Sequence, residues 1–262
     1  AWKVRPSGDP AGRAWTCTLG GTGWLPAAAD YDGDGLADPA VYRAADGAWR
    51  VLLSGAGYAP LERPAWLGGT GWLPAAADYD GDGLADPAVY EAATGRWTLR
   101  LSAGGYAETQ PADALGGPGW VPVPADYDGD RRADRAVGEL ARGTWSMLLS
   151  GGAGETRFEW PDWLDGAGLL AVPGDYDGDG RADPAVADPA GGRWAARLSG
   201  SGYGECRLPV FEAAIEEGGR ERGINAKGGA DMTRKQIDAL GDYVKSYRAK
   251  GRAYGAPLFI FF

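Results

Sequence analysis

Four aspartates, Asp30, Asp32, Asp34 and Asp38, stand within nine residues in the stretch "ADYDGDGLADPAVY". Counted from Asp30 they occupy positions 1, 3, 5 and 9, with Leu36 at position 7. Gly33 and Gly35 permit a tight coil, and such a coil turns alternate side chains toward one point. Four carboxylates gathered there repel, and without a counter-charge they must take up protons or open the loop. A hard divalent cation removes the conflict. Calcium takes about 6–8 oxygens from carboxylates, backbone carbonyls and water. The four aspartates, the Leu36 carbonyl and about one or two waters supply that number. Magnesium demands a smaller, near-octahedral shell and fits less well.

The pattern recurs three times. Its further copies are Asp78, Asp80, Asp82, Leu84 and Asp86; then Asp126, Asp128, Asp130, Arg132 and Asp134; then Asp175, Asp177, Asp179, Arg181 and Asp183. These are the candidate ligands, with the residue at position 7 contributing its carbonyl, and they imply up to four Ca²⁺. The third copy departs at Arg131, where the others have Gly, and at Arg135, where they have Pro. Added positive charge and a stiffer backbone predict that this loop binds weakest. An EF-hand is excluded. It needs a bidentate Glu at position 12 and helices on both sides. Position 12 is Val41, Val89, Val137 or Val186, and Pro26 and Pro39 flank the first loop. A solvated acidic turn without metal accounts for one such copy, but poorly for four in register.

The elements that carry these loops follow from the spacing. The clusters begin at Asp30, Asp78, Asp126 and Asp175, so the steps are 48, 48 and 49 residues, and Trp49, Trp97, Trp145 and Trp194 keep the same steps. Leu19–Tyr42 and Leu67–Tyr90 are identical. Such a period is the signature of a repeat architecture. Within one unit, Trp24–Asp30 predicts a first strand and Ala37–Arg43 a second. Ala44–Gly47 is a hairpin turn, Ala48–Ser54 a third strand, and Ala59–Gly69 contains a weaker fourth. Antiparallel units of this size repeated radially describe the blades of a β-propeller. The tryptophans are expected between adjacent blades. A ligand-stacking role is kept open for Trp24, Trp72 and Trp120. Ala1–Gly8 aligns with the third strand and Ala14–Gly21 precedes the first full unit. The expected fold is therefore an all-β propeller of four full blades plus a partial N-terminal blade, in a ring that is incomplete or truncated upstream, with a small α+β segment at the C-terminus.

At the level of families, "DYDGDGLADPAVY" resembles the FG-GAP/VCBS repeat, the calcium-binding blade of integrin-α-like β-propellers and of bacterial secreted proteins. The likeness spans about residues 1–203. It implies calcium on the residues named above, and an extracellular or cell-surface setting.

Composition limits the function classes. The chain of 262 residues has no histidine, which removes the commonest general base and transition-metal ligand. Its formal net charge of −10 makes nucleic acid an unsuitable partner for the propeller. Residues 212–262 carry 9 basic and 7 acidic side chains, so the rest of the chain carries −12, and four Ca²⁺ would bring that to −4. The acidity therefore belongs largely to the loops. No apolar run reaches membrane-spanning length. Cys17 and Cys206 fit no zinc pattern, and whether they pair is left open.

After Tyr203 the repeat stops, giving a division into residues 1–203 and 204–262. Pro209–Arg220 predicts a short helix, Gly223–Gly229 a strand and turn, and Thr233–Gly251 an amphipathic helix with a Thr233–Gln236 capping pair. "GINAKGGADMTRKQIDALGDYVKSYRAKG" resembles part of the GAD domain inserted in bacterial aspartyl-tRNA synthetases, over about residues 206–254. The synthetases' own catalytic motifs are missing, so this likeness implies no aminoacylation by the chain.

Two functions are carried forward. The first is a non-enzymatic, calcium-binding propeller scaffold for adhesion or for binding a glycan or protein. The alternative is a cytoplasmic fragment related to aspartyl-tRNA synthetase, or a chimera of the two.

Overall fold

The computed structural model describes residues 2–4, 15–151, 155–161, 163, 165–166, 168–190 and 193–208. The helices and strand expected after Pro209, and the Cys206 side chain, lie outside the described residues. Among the described residues Cys17 has no disulfide partner.

Two short strands, β1 (Trp2–Val4) and β2 (Trp15–Cys17), pair antiparallel and form the expected partial blade. Four complete four-stranded sheets follow, arranged as propeller blades. The first consists of β3 (Trp24–Pro26), β4 (Ala40–Arg43), β5 (Ala48–Leu53) and β6 (Ala59–Arg63). The second consists of β7 (Trp72–Pro74), β8 (Ala88–Glu91), β9 (Arg96–Leu101) and β10 (Ala107–Thr109). The third consists of β11 (Val121–Pro122), β12 (Arg135–Glu139), β13 (Thr144–Leu149) and β14 (Thr156–Trp160). The fourth consists of β15 (Leu170–Ala171), β16 (Ala185–Asp188), β17 (Arg193–Leu198) and β18 (Gly204–Leu208). Within each blade the strands lie in chain order and pair antiparallel, a simple meander. The first strands of neighbouring blades approach one another, β3 against β7 and β7 against β11.

The first two strands of each blade are shorter than their sequence suggests. The chain leaves the ladder after Pro26, runs through the acidic loop and touches itself again at a single bridge, Ala29 to Asp38. Pro39 has no N–H to give a ladder, so β4 starts only at Ala40. The same bridge recurs as Ala77–Asp86, Ala125–Asp134 and Gly174–Asp183. In the third blade Arg135 replaces the proline and joins the strand, pairing with Leu148.

The core lies between blades. Trp49, Tyr42 and Val51 of the first blade pack with Ala85 and Val89 of the second. Trp97, Tyr90 and Leu99 pack with Val137 and Leu148 of the third, and Trp145 and Met147 with Ala182 and Val186 of the fourth. Each fully buried aromatic removes a large apolar area from water, and these wedges hold the blades in register. Hydrogen bonds tie the same joints. The Tyr42 hydroxyl accepts from the Gly69 N–H at 3.0 Å, and Tyr90 does the same with Gly117 at 2.9 Å. Gly138 stands at that place in the third blade, without a hydroxyl. Trp24, Trp72 and Trp120 are only half-buried. The guanidinium groups of Arg43 and Arg50 lie 4.6 and 4.8 Å from the Trp24 ring, within cation–π range. Among the described residues no helix is long and apolar enough to cross a membrane.

Candidate metal centres

Each acidic loop coils around its first aspartate. Asp30 accepts the N–H of Gly33 on one oxygen at 2.7 Å and that of Gly35 on the other at 2.8 Å. Gly35 has a φ of 84°, the left-handed region that glycine enters without steric cost. Asp78, Asp126 and Asp175 repeat both bonds. The third loop does so although Arg131 replaces the second glycine. Arg131 sits at φ 71° and still donates its N–H to Asp126 at 2.8 Å. The coil is thus preserved at the expense of backbone strain.

The second and third aspartates face the far end of the blade's third strand. One oxygen of Asp32 accepts the Gly55 N–H at 2.9 Å. Asp80, Asp128 and Asp177 accept the corresponding N–H of Ala103, Gly151 and Gly200. Asp34 accepts the Leu36 N–H at 2.8 Å and the Ser54 hydroxyl at 2.9 Å. Asp82, Asp130 and Asp179 are held in the same way by Leu84 and Ser102, Arg132 and Ser150, and Arg181 and Ser199.

The ninth residue is the buried one. Asp38, Asp86, Asp134 and Asp183 are each 0 % exposed. Asp38 accepts the Ser54 N–H at 2.6 Å and the Tyr31 N–H at 2.8 Å, and the other three repeat this pair of bonds. The tyrosine is fixed in turn, because its hydroxyl donates to the carbonyl four residues earlier, Tyr31 to Ala27 at 2.6 Å. Burial pushes the carboxyl of each ninth aspartate above its ordinary range. The N–H donors oppose that shift and a neighbouring aspartate adds to it. Asp86 and Asp134 are pushed up to about 6.

In every loop, carboxylate oxygens of positions 1, 3 and 9 lie within 4.8 Å of one another. The groups are Asp30, Asp32 and Asp38; Asp78, Asp80 and Asp86; Asp126, Asp128 and Asp134; and Asp175, Asp177 and Asp183. The fifth-position aspartates stand outside these groups, held to serine. The donor set is all oxygen, acidic and preorganised by backbone N–H groups, and it fits a hard cation. A cation there would neutralise the ninth-position carboxylates, which burial now holds at raised pKa.

The serines were not singled out from the sequence. Ser54, Ser102, Ser150 and Ser199 recur at the same 48-, 48- and 49-residue steps as the aspartates, and that period was the available signal. In the third blade the extra positive charge has its own partner. Arg135, nearly buried, bonds Glu155 through two nitrogens at 3.2 and 2.5 Å and the Asp113 carbonyl at 3.0 Å.

Comparisons with known proteins bear on the other end of the chain. The GAD domain model matches residues 211–256. Curated relatives over this stretch include the aspartate–tRNA(Asp/Asn) ligase of Symbiobacterium thermophilum, 55 % identical over 49 residues, which are 19 % of this chain and 8 % of that protein. The aspartate–tRNA ligase of Clostridium acetobutylicum is 60 % identical over 45 residues, 17 % of this chain and 8 % of the relative. The matched stretch thus spans less than a tenth of these relatives' length. Among solved structures, a streptogramin B lyase aligns at a TM-score of 0.45 with 13 % identity, covering 76 % of this chain and 59 % of that one.

Proposed function

We propose that the propeller is a non-enzymatic scaffold of the FG-GAP/VCBS type, stabilised by calcium and presenting a binding surface for a glycan or protein outside the cell. The observation that carries this reading is the fourfold recurrence of one N–H-lined carboxylate triplet, its ninth-position member buried, at the same place in every blade. Asp30, Asp32, Asp34, the Leu36 carbonyl and Asp38 would hold the first ion, and the equivalent residues the other three. Bound calcium supplies charge neutralisation at the turn between the first two strands. The chain's own residues do the positioning: Ser54 and Tyr31 orient Asp38, and Gly55 orients Asp32. Four equivalent sites, none beside a histidine in a chain that lacks one, favour a structural ion over a catalytic one. Thermal unfolding of the full chain, calcium-loaded and in excess EGTA, tests this. A fall in Tm on chelation is expected, and coincident curves would remove the calcium reading.

The match over residues 211–256 favours a second reading for the C-terminal segment, an accessory domain related to that of aspartyl-tRNA synthetase and joined to the propeller. The flanking gene sequence tests it. Synthetase motifs downstream in another frame would mark a chimera, and propeller repeats upstream a secreted protein.

A further inference from the structure

Leu67–Tyr90 repeats Leu19–Tyr42 residue for residue, so Trp72 stands in the second blade where Trp24 stands in the first. What covers the two rings differs. Arg43, opposite Trp24 in the ladder, and Arg50 on the next strand lay their guanidinium groups over the Trp24 indole. In the second blade those places fall to Glu91 and Thr98. Glu91 is turned to Arg96, 2.8 Å away. Among the described residues no guanidinium and no second ring lies over Trp72. Trp72 instead lines a groove of about 330 Å³ at the joint of the first and second blades. Trp66, Thr98, Arg100, Glu108 and Gln110 line it too.

The polar side of the groove is fixed by the fold. Arg100 donates to the Trp66 carbonyl at 3.1 Å, to the Tyr106 carbonyl at 2.9 Å and to one Glu108 oxygen at 2.9 Å. The other Glu108 oxygen accepts from the Gln110 amide at 3.2 Å. A carboxylate accepts about four hydrogen bonds, so Glu108 keeps acceptor capacity, and Gln110 keeps its carbonyl oxygen and one N–H. The next joint is built differently. Ala114 stands in place of Trp66 and Arg157 in place of Glu108, and Arg157 reaches across to the Ala114 carbonyl at 3.0 Å. The blade architecture therefore does not require Trp66 or Glu108. Ala65, also in the lining, is held at φ 45°, in the left-handed region, and Asp113 at the next joint is not. Strain of this kind clusters at ligand sites.

We propose, resting on the reading of the propeller as a binding scaffold, that this groove is a subsite for a neutral carbohydrate. One pyranose ring stacks on Trp72 and turns its hydroxyls to Glu108 and Gln110. A pyranose has an apolar C–H face and a rim of hydroxyls that both donate and accept. The indole face meets the first, and the carboxylate and amide meet the second. Arg100 and Glu108 cancel each other's charge, which favours an uncharged ligand over an anion or a cation. The volume stands at the lower end for small-molecule sites. It suits one sugar ring, whereas a stable protein partner covers about 800 Å² on each side.

Saturation-transfer difference NMR on the full chain in calcium buffer tests this, with the methyl pyranosides of glucose, galactose, mannose and N-acetylglucosamine as probes. At least one probe should bind, with the strongest transfer to the C–H protons of one ring face. Thr98→Arg rebuilds the cover that Arg50 gives Trp24 and should abolish the signal. Glu108→Ala removes the main acceptor and should weaken binding about tenfold. Glu108 is exposed, so that variant leaves the packing intact and should keep the wild-type Tm. No transfer to any probe, or binding unchanged in both groove variants, overturns the proposal. Neither result touches the scaffold reading, which falls instead if chelation leaves the Tm unchanged.

Discussion

The backbone N–H of Ser54 donates to the carboxylate of Asp38 at 2.6 Å, across a sequence separation of 16 residues. The same serine's hydroxyl donates to Asp34 at 2.9 Å. The end of the third strand thereby closes the acidic loop from outside. Both bonds recur in every blade, so each loop has a lid made of the blade's own backbone.

Substituting the serine should separate the two contacts. Ser102→Ala keeps the N–H bond to Asp86 and loses only the hydroxyl bond to Asp82. We expect about 0.5–1.5 kcal/mol of destabilisation, with the second loop's metal affinity reduced but retained. Chemical denaturation with and without calcium measures it.

Asp38→Asn should be more severe. Both carboxylate oxygens accept backbone N–H groups, and an amide can offer only one acceptor. One buried N–H then faces an NH₂ group, at a cost of about 1–3 kcal/mol even without metal. Calorimetric titration should show one site fewer.

The strain at Arg131 predicts a gain. A non-glycine residue in the left-handed region costs about 1–2 kcal/mol, of which glycine's extra unfolded-state freedom returns part. Arg131→Gly should therefore stabilise the protein by about 0.5–1 kcal/mol and tighten ion binding in the third loop. Tm and a competitive chelator titration read both effects.

The metal-free protein should respond to pH in an unusual direction. Asp86 and Asp134 carry folded-state pKa values of about 6, above their ordinary value of 3.8, chiefly through burial. A raised carboxyl binds its proton more tightly in the folded state. Its contribution to stability is therefore complete below about pH 3.8 and is lost as pH rises through about 6. These groups should make metal-stripped protein more stable at pH 5 than at pH 7.5. The calcium-loaded protein should show the reverse, because protons compete with the ion. Melting curves of both forms across this range check the sign.

The blades and acidic loops were legible because the chain repeats itself: one period places Asp30, Asp78, Asp126 and Asp175, and the same period places the buried tryptophans. Strand limits were less legible. The strands read over Trp24–Asp30 and Ala37–Arg43 shrink to Trp24–Pro26 and Ala40–Arg43, because the acidic loop draws their inner ends out of the ladder and Pro39 delays its return. The serine lid was missed because half of its work is done by a backbone N–H, which no residue type reveals. The bond from the Ala85 N–H to the Asp30 carbonyl of the preceding blade was hidden for the same reason. Arg135 read as stray charge beside a metal loop. Its partner Glu155 lies 20 residues away, and only the folded third blade brings the two together.

The central claim is one ion per blade. Equilibrium dialysis of metal-stripped full chain against ⁴⁵Ca²⁺, counted per mole of protein, tests it most directly. The account predicts saturation near four ions per chain, with the last site weaker and belonging to the loop that contains Arg131. Binding no greater than that of a quadruple variant with Asp38, Asp86, Asp134 and Asp183 all changed to Asn would contradict it.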